Sequence, residues 1–124
     1  MQTPTSVAWP SGDTSRIPFA VYTDQDLHQK ELERFFYQGH WCYVGLEAEV
    51  PNPGDFKRTV VGERSVILSR AADGTLHCFE NVCPHRGMQF CRQLHGSGVK
   101  EFVCPYHQWS YTLNGDLHGV PLRR

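Results

Sequence analysis

The pattern of apolar and polar positions changes character once along this chain, at Gly39. Residues 1–22 carry Pro4, Pro10 and Pro18 among serines and threonines without periodicity. They read as an extended N-terminal arm, with Trp9 and Ile17 as the side chains able to pin it to the body. Thr23 to Gly39 predicts a single helix. Thr23 or Asp24 can cap its start, acidic residues sit early, and Gly39 stands where a left-handed stop belongs. Leu27, Leu32, Phe35 and Phe36 share its apolar face, and the two phenylalanines are expected to dock the helix.

Beyond Gly39 the pattern is that of strands. His40 to Leu46 is rich in aromatic and β-branched residues. Pro51 to Asp55 is a turn, and Phe56 to Val61 and Arg64 to Arg70 read as strands joined at Gly62-Glu63. Ala72-Asp73-Gly74 turns into a strand from Thr75 to Asn81, with Leu76 and Phe79 as core positions. A further strand from Val99 to Val103 follows the break at Gly96-Ser97-Gly98. Asn114-Gly115, between Ser110–Leu113 and Asp116–Val120, is the strongest hairpin signal. Short strands cut by Gly, Pro and Asn predict an all-β protein, an antiparallel β-sandwich with one N-terminal helix.

Composition narrows the function classes. The length of 124 residues suits one domain with a real core. A net charge of −1 with 20% charged residues gives no basic excess for nucleic acid. No apolar run is long enough to span a membrane and no signal segment opens the chain, so a cytoplasmic protein without membrane or nucleic-acid partners is expected. Of five cysteines, Cys42, Cys78 and Cys91 read as reduced, buried or half-buried thiols without functional weight.

The other two lie in the stretches that carry chemistry, Cys83-Pro84-His85-Arg86-Gly87 and Cys104-Pro105-Tyr106-His107-Gln108-Trp109. Each offers one thiol and one imidazole, in the order Cys-x-His and then Cys-x-x-His, with 18 residues between His85 and Cys104. Two thiolates and two imidazoles can close a tetrahedral zinc site or hold a two-iron cluster. Zinc sites usually pair cysteine with cysteine and histidine with histidine at short spacing, whereas here each half runs Cys then His.

That order resembles the Rieske family, whose 2Fe-2S cluster has two cysteines on one iron and two histidines on the other. The resemblance implies the Rieske iron–sulfur fold over residues 23–124, a β-sandwich with a small cluster-binding subdomain. It makes residues 83–88 and 104–109 the cluster loops, and Cys83, His85, Cys104 and His107 both the metal ligands and the cofactor-binding residues. Exchanging two thiolates for neutral imidazoles makes the cluster less negative. The potential then rises from roughly −400 mV into a window of about −150 to +300 mV.

Finer features of the resemblance point to the low end of that window. Respiratory Rieske proteins brace the loops with a disulfide and donate a serine hydroxyl to a sulfide. Here Met88 and Tyr106 stand in the disulfide places and Trp109 in the serine place, leaving Tyr111 as a possible donor to a ligand sulfur. The helical prologue, Trp41-Cys42-Tyr43-Val44-Gly45, Pro53-Gly54-Asp55-Phe56 and Glu80 to Gly87 resemble the alpha subunit of an aromatic-ring-hydroxylating dioxygenase. Gln108 in place of glycine, with Gly115 to Pro121, is similar to the salicylate, anthranilate and terephthalate hydroxylase branch.

In that family the alpha subunit takes an electron from a ferredoxin or flavin reductase. It passes the electron to a mononuclear non-haem Fe(II) in a C-terminal catalytic domain, alongside a beta subunit. The resemblance makes Cys83 and Cys104 the ligands of an inner iron and His85 and His107 those of an outer one. His107 is then the imidazole that meets an aspartate of a neighbouring catalytic domain. Arg86 and Trp109 would shape and shield the docking surface. The iron's two-histidine, one-carboxylate triad has no counterpart in the spacing of His28, His40, His77, His95 and His118, so no catalytic residues are expected here. The rival readings are a free-standing Rieske-type ferredoxin, an electron carrier with an unusual helix, and a zinc-bound structural domain.

Overall fold

The computed structural model describes residues 7–9 and 13–121. Two compact units partition the chain, residues 1–41 and 42–124. Of the arm read from sequence, residues 1–6 and 10–12 lie outside the described residues. Trp9 and Ile17 each keep about half their surface exposed, 49% and 51%.

In the first unit a short 3-10 turn, Phe19–Tyr22, leads into α1, Gln25–Glu31. Asp24 is the cap: its side chain accepts the Leu27 N–H at 2.8 Å. The helix continues as a π turn over Leu32–Phe36, and Gly39 adopts φ +69° beyond it. The helical run is therefore shorter than 23–39 at both ends. Leu32 alone is buried, while Phe35 and Phe36 are 54% and 44% exposed. The wider π turn carries the two rings away from the stripe that a regular 3.6-residue period would align.

Among the described residues the second unit holds seven short strands in two antiparallel sheets. The larger has the order β3-β2-β1-β4, built from β1 (Phe56–Val61), β2 (Arg64–Arg70), β3 (Leu76–Glu80) and β4 (His95–Gly96). The smaller has the order β5-β6-β7, from β5 (Phe102–Val103), β6 (Ser110–Tyr111) and β7 (Leu117–Gly119). Residues 65–69 of β2 are all buried because that strand is central and covered on both faces. β3 is an edge strand with alternating exposure. Phe79 packs against the core, but Leu76 is 40% exposed. Positions three apart on a strand point to opposite faces, so the two cannot share the interior.

Other differences follow from missing partners. His40 to Leu46 lies outside both sheets despite its β-forming composition, with Trp41 and Tyr43 exposed; such residues favour a strand only where a neighbour offers a surface to pack on. The strand read over Val99 to Val103 contracts to Phe102–Val103. Cys78 is exposed on β3, Cys42 is intermediate and Cys91 is buried; among the described residues no disulfide forms.

The core runs without a break from the larger sheet to the two candidate loops. Phe102 is its hub, edge-on to Phe56 at 5.2 Å and packed against Phe79 and Phe90, both at 6.0 Å. Cys83, Cys91, Cys104, Tyr111 and Leu113 belong to the same core. The hairpin at Asn114-Gly115 closes with Thr112 N–H donating to Asp116 O at 2.8 Å. Gly115 sits at φ +90°, and a Cβ there would lie 2.7 Å from the Phe79 ring, so both conformation and space demand glycine.

Candidate metal centre

The two motifs fold into copies of one loop. In the first, Cys83 N–H donates to Met88 O at 2.8 Å and Gly87 N–H returns to Cys83 O at 2.8 Å. In the second, Cys104 N–H donates to Trp109 O at 2.8 Å and Gln108 N–H returns to Cys104 O at 2.9 Å. These reciprocal bonds span residues 83–88 and 104–109. A proline after each cysteine presets φ and has no N–H to satisfy. The fifth residue of each loop is left-handed, Gly87 at φ +73° and Gln108 at φ +60°. Gln108 is the one non-glycine residue at positive φ among the described residues, a conformation that costs about 1–2 kcal/mol for an L residue.

The loops bring the four candidate ligands together in pairs. Cys83 and Cys104 are both buried and belong to the same core. His85 and His107 pack edge-to-face with ring centroids 4.6 Å apart, His85 exposed and His107 half-buried. Trp109 stacks on His85 at 4.7 Å with an interplanar angle of 9°, and Tyr106 lies against His107 at 3.8 Å. The sulfurs thus lie inward and the imidazoles toward the surface.

Two polar features test whether a metal cluster suits these residues. His107 Nδ1 is enclosed and meets no hydrogen-bond partner among the described residues. An orphaned buried nitrogen costs about 1–3 kcal/mol, a penalty that donation of its lone pair to a metal removes. The Tyr111 hydroxyl donates to Cys83 Sγ at 3.0 Å, the sulfur contact for which sequence had offered Tyr111. Burial by itself raises the Cys83 thiol. Bonds from the Tyr111 hydroxyl, the His85 and Arg86 backbone N–H groups and the Cys104 side chain outweigh it and hold Cys83 below its ordinary value. Burial, reinforced by the bond to Cys83, pushes Tyr111 upward, so it remains a donor. A sulfur favoured as thiolate and an enclosed bare imidazole nitrogen fit an iron–sulfur cluster.

Sequence reasoning gave no role to Asn81, which is fully buried two residues before Cys83 and bonds to Cys91 on the far side of the loop. A carboxamide directly after a strand and before a ligand motif was the available signal. Cys91 is no ligand candidate here: burial pushes its thiol up, and it bonds to Gln93 O. Arg86 is exposed and enters the site through its backbone.

Paired loops, one after an edge strand of the larger sheet and one between strands of the smaller, each carrying a buried cysteine and an outer histidine, define a cluster-binding domain of the Rieske type. The chain belongs to that family: the Rieske 2Fe-2S domain matches residues 40–124. The tetrahedral zinc alternative gives way to a 2Fe-2S cofactor. The large oxygenase component of salicylate 5-hydroxylase from Ralstonia sp. is 64% identical over 121 residues, covering 98% of this chain and 28% of that protein. The anthranilate 1,2-dioxygenase large subunit from Burkholderia cepacia is 45% identical over 118 residues, 95% of this chain and 28% of that one. Among solved structures, naphthalene 1,2-dioxygenase from Rhodococcus sp. bound to indole superposes with a TM-score of 0.77 at 38% identity, over 86% of this chain and 24% of that one. The chain thus spans about a quarter of the length of these relatives. The first two support the salicylate, anthranilate and terephthalate hydroxylase branch, and all three are oxygenases rather than free ferredoxins. Among the described residues no helix is long and apolar enough to cross a membrane.

Proposed function

We propose that this chain is the electron-transfer domain of an aromatic-ring-hydroxylating oxygenase alpha subunit. When bound, the 2Fe-2S cluster supplies a one-electron store. Cys83 and Cys104 hold its inner iron and His85 and His107 its outer iron. The two imidazoles are the exit toward a mononuclear non-haem iron in a catalytic domain outside this chain. The observation that carries this reading is the polarity of the site: the sulfurs are buried in the core while the imidazoles face outward. Trp109 and Tyr106 flank the rings and keep water from their faces.

An oxygenase subunit is favoured over a free ferredoxin because likeness to oxygenase components extends over 98% of the chain, helical prologue included. The electron donor is then a ferredoxin or flavin reductase in the cytoplasm. The substrate is an aromatic ring, and a catalytic domain and a beta subunit complete the enzyme. The test is low-temperature EPR of the dithionite-reduced protein, with iron and zinc counted on the same sample. A rhombic signal with two irons per chain is expected. Zinc with no signal would remove the electron-transfer function.

A further inference from the structure

The two loops are alike within themselves but are closed differently at the base. The second is closed by a strand pair, with Phe102 opposite Tyr111 and Val103 opposite Ser110. The first follows β3, and no strand returns beside its base: the chain runs on to β4 at His95. A single side chain stands in for the missing ladder. Asn81 Nδ2 donates to Cys91 O at 2.8 Å, and Asn81 Oδ1 accepts the Cys91 N–H at 2.8 Å. The carboxamide thus makes both bonds that a facing strand residue would make. Its remaining donor reaches Ser65 Oγ at 3.2 Å, and its backbone N–H donates to Ser65 O at 2.8 Å, tying the base to β2.

What this closure holds in place is the route to a ligand sulfur. Phe90, next to Cys91, stacks on Tyr111 at 4.7 Å with an interplanar angle of 16°. The Tyr111 hydroxyl is the donor to Cys83 Sγ. All of these groups are buried, so displacement of one is passed to the next rather than absorbed by solvent.

We propose that Asn81 is a positioning residue of the redox centre: by closing the first ligand loop on Cys91 it holds Phe90 against Tyr111, and so aims the Tyr111 hydroxyl at Cys83. This rests on the reading of Cys83 as a cluster ligand. The Asn81 side chain bonds to Ser65 and the Cys91 backbone, and acts on the centre through the aromatic pair. Opening the closure loosens the hydroxyl–sulfur bond, and the potential falls because a donor to sulfur favours the more negative reduced state.

The test uses Asn81→Ala and the milder Asn81→Ser in the full chain loaded with iron and sulfide. Midpoint potential is read by voltammetry, which senses only loaded molecules, and Tm is measured beside it. Both variants are expected to lower the potential in the direction of Tyr111→Phe. Adding Asn81→Ser to Tyr111→Phe should move it no further. Ser65→Ala, which leaves the Cys91 bonds in place, should lower Tm but not the potential. Hydrogen exchange around Cys91 should speed up in the Asn81 variants and not in Ser65→Ala. An unchanged potential beside a lower Tm would reduce Asn81 to a structural role, and an additive shift in the double variant would break the route through Tyr111. Failure of the underlying reading is distinguishable, because it would appear in the unsubstituted chain as zinc in place of two irons.

Discussion

Replacing Tyr111 with phenylalanine isolates one bond of the centre. The ring is 4% exposed and stacked on Phe90, so Phe keeps the packing and loses only the hydroxyl. The lost bond, Tyr111 Oη to Cys83 Sγ at 3.0 Å, has a charged acceptor and so is worth about 1.5–3 kcal/mol. Only the part that strengthens when the cluster gains an electron affects the potential. If that part is about 1 kcal/mol, the potential falls by roughly 40 mV, since a tenfold change in a one-electron equilibrium is 59 mV. Voltammetry on matched samples with equal iron content reads the shift directly. A potential within about 10 mV of the unsubstituted chain, on that same scale, would refute the claim that this hydroxyl tunes a ligand sulfur.

Other outcomes follow from the same geometry. His107→Cys exchanges a neutral imidazole for a thiolate, so the potential should fall toward the roughly −400 mV of all-cysteine clusters, or the cluster should be lost; an unchanged potential would rule His107 out as a ligand. Gln108→Gly should relieve the left-handed strain at φ +60° and raise stability by about 0.5–1 kcal/mol, the strain relieved less the added unfolded-state entropy, visible as a few degrees in Tm. Gly115→Ala should cost at least about 2 kcal/mol, because it meets both a positive φ and the Phe79 ring 2.7 Å away, and calorimetry would show it. Asp55 is buried and held below its ordinary pKa, chiefly by the Asn52 backbone N–H and against the opposing effect of burial. Its contribution to stability is therefore complete above the ordinary carboxylate pKa and is lost as pH falls through the depressed folded value. Asp55→Asn should flatten the acid limb of a stability–pH profile measured by denaturant titration; an acid limb as steep as before would show that Asp55 does not produce it.

Legibility divides along the range of the interactions. The hairpin at Gly115 and a cap at Thr23 or Asp24 were readable because glycine and short polar side chains impose their conformations locally, whereas the loops at 83–88 and 104–109 came from the family resemblance. The absence of a strand at His40 to Leu46 was not readable because a strand needs a neighbour to pack on, and the exposure of Phe35 and Phe36 was not because a π turn replaced the regular helical period. Leu76 was misassigned against the two-residue period that puts it opposite Phe79. Asn81 is the sharpest case: its partner Cys91 is ten residues away, across a loop whose course no local rule specifies.

By itself the sequence held the candidate ligand types and their spacing, which left a zinc site and a two-iron cluster both open, and it was the resemblance of their order to a known family that pointed to the cluster. Tertiary structure alone decided that the sulfurs lie inward with Tyr111 donating to one of them, that Trp109 of one loop stacks on His85 of the other, and that a carboxamide closes the first loop where the second has a strand pair. The physical reason is that ligand chemistry belongs to single residues, whereas burial, stacking and hydrogen-bond partnership belong to pairs that only the folded chain brings within reach.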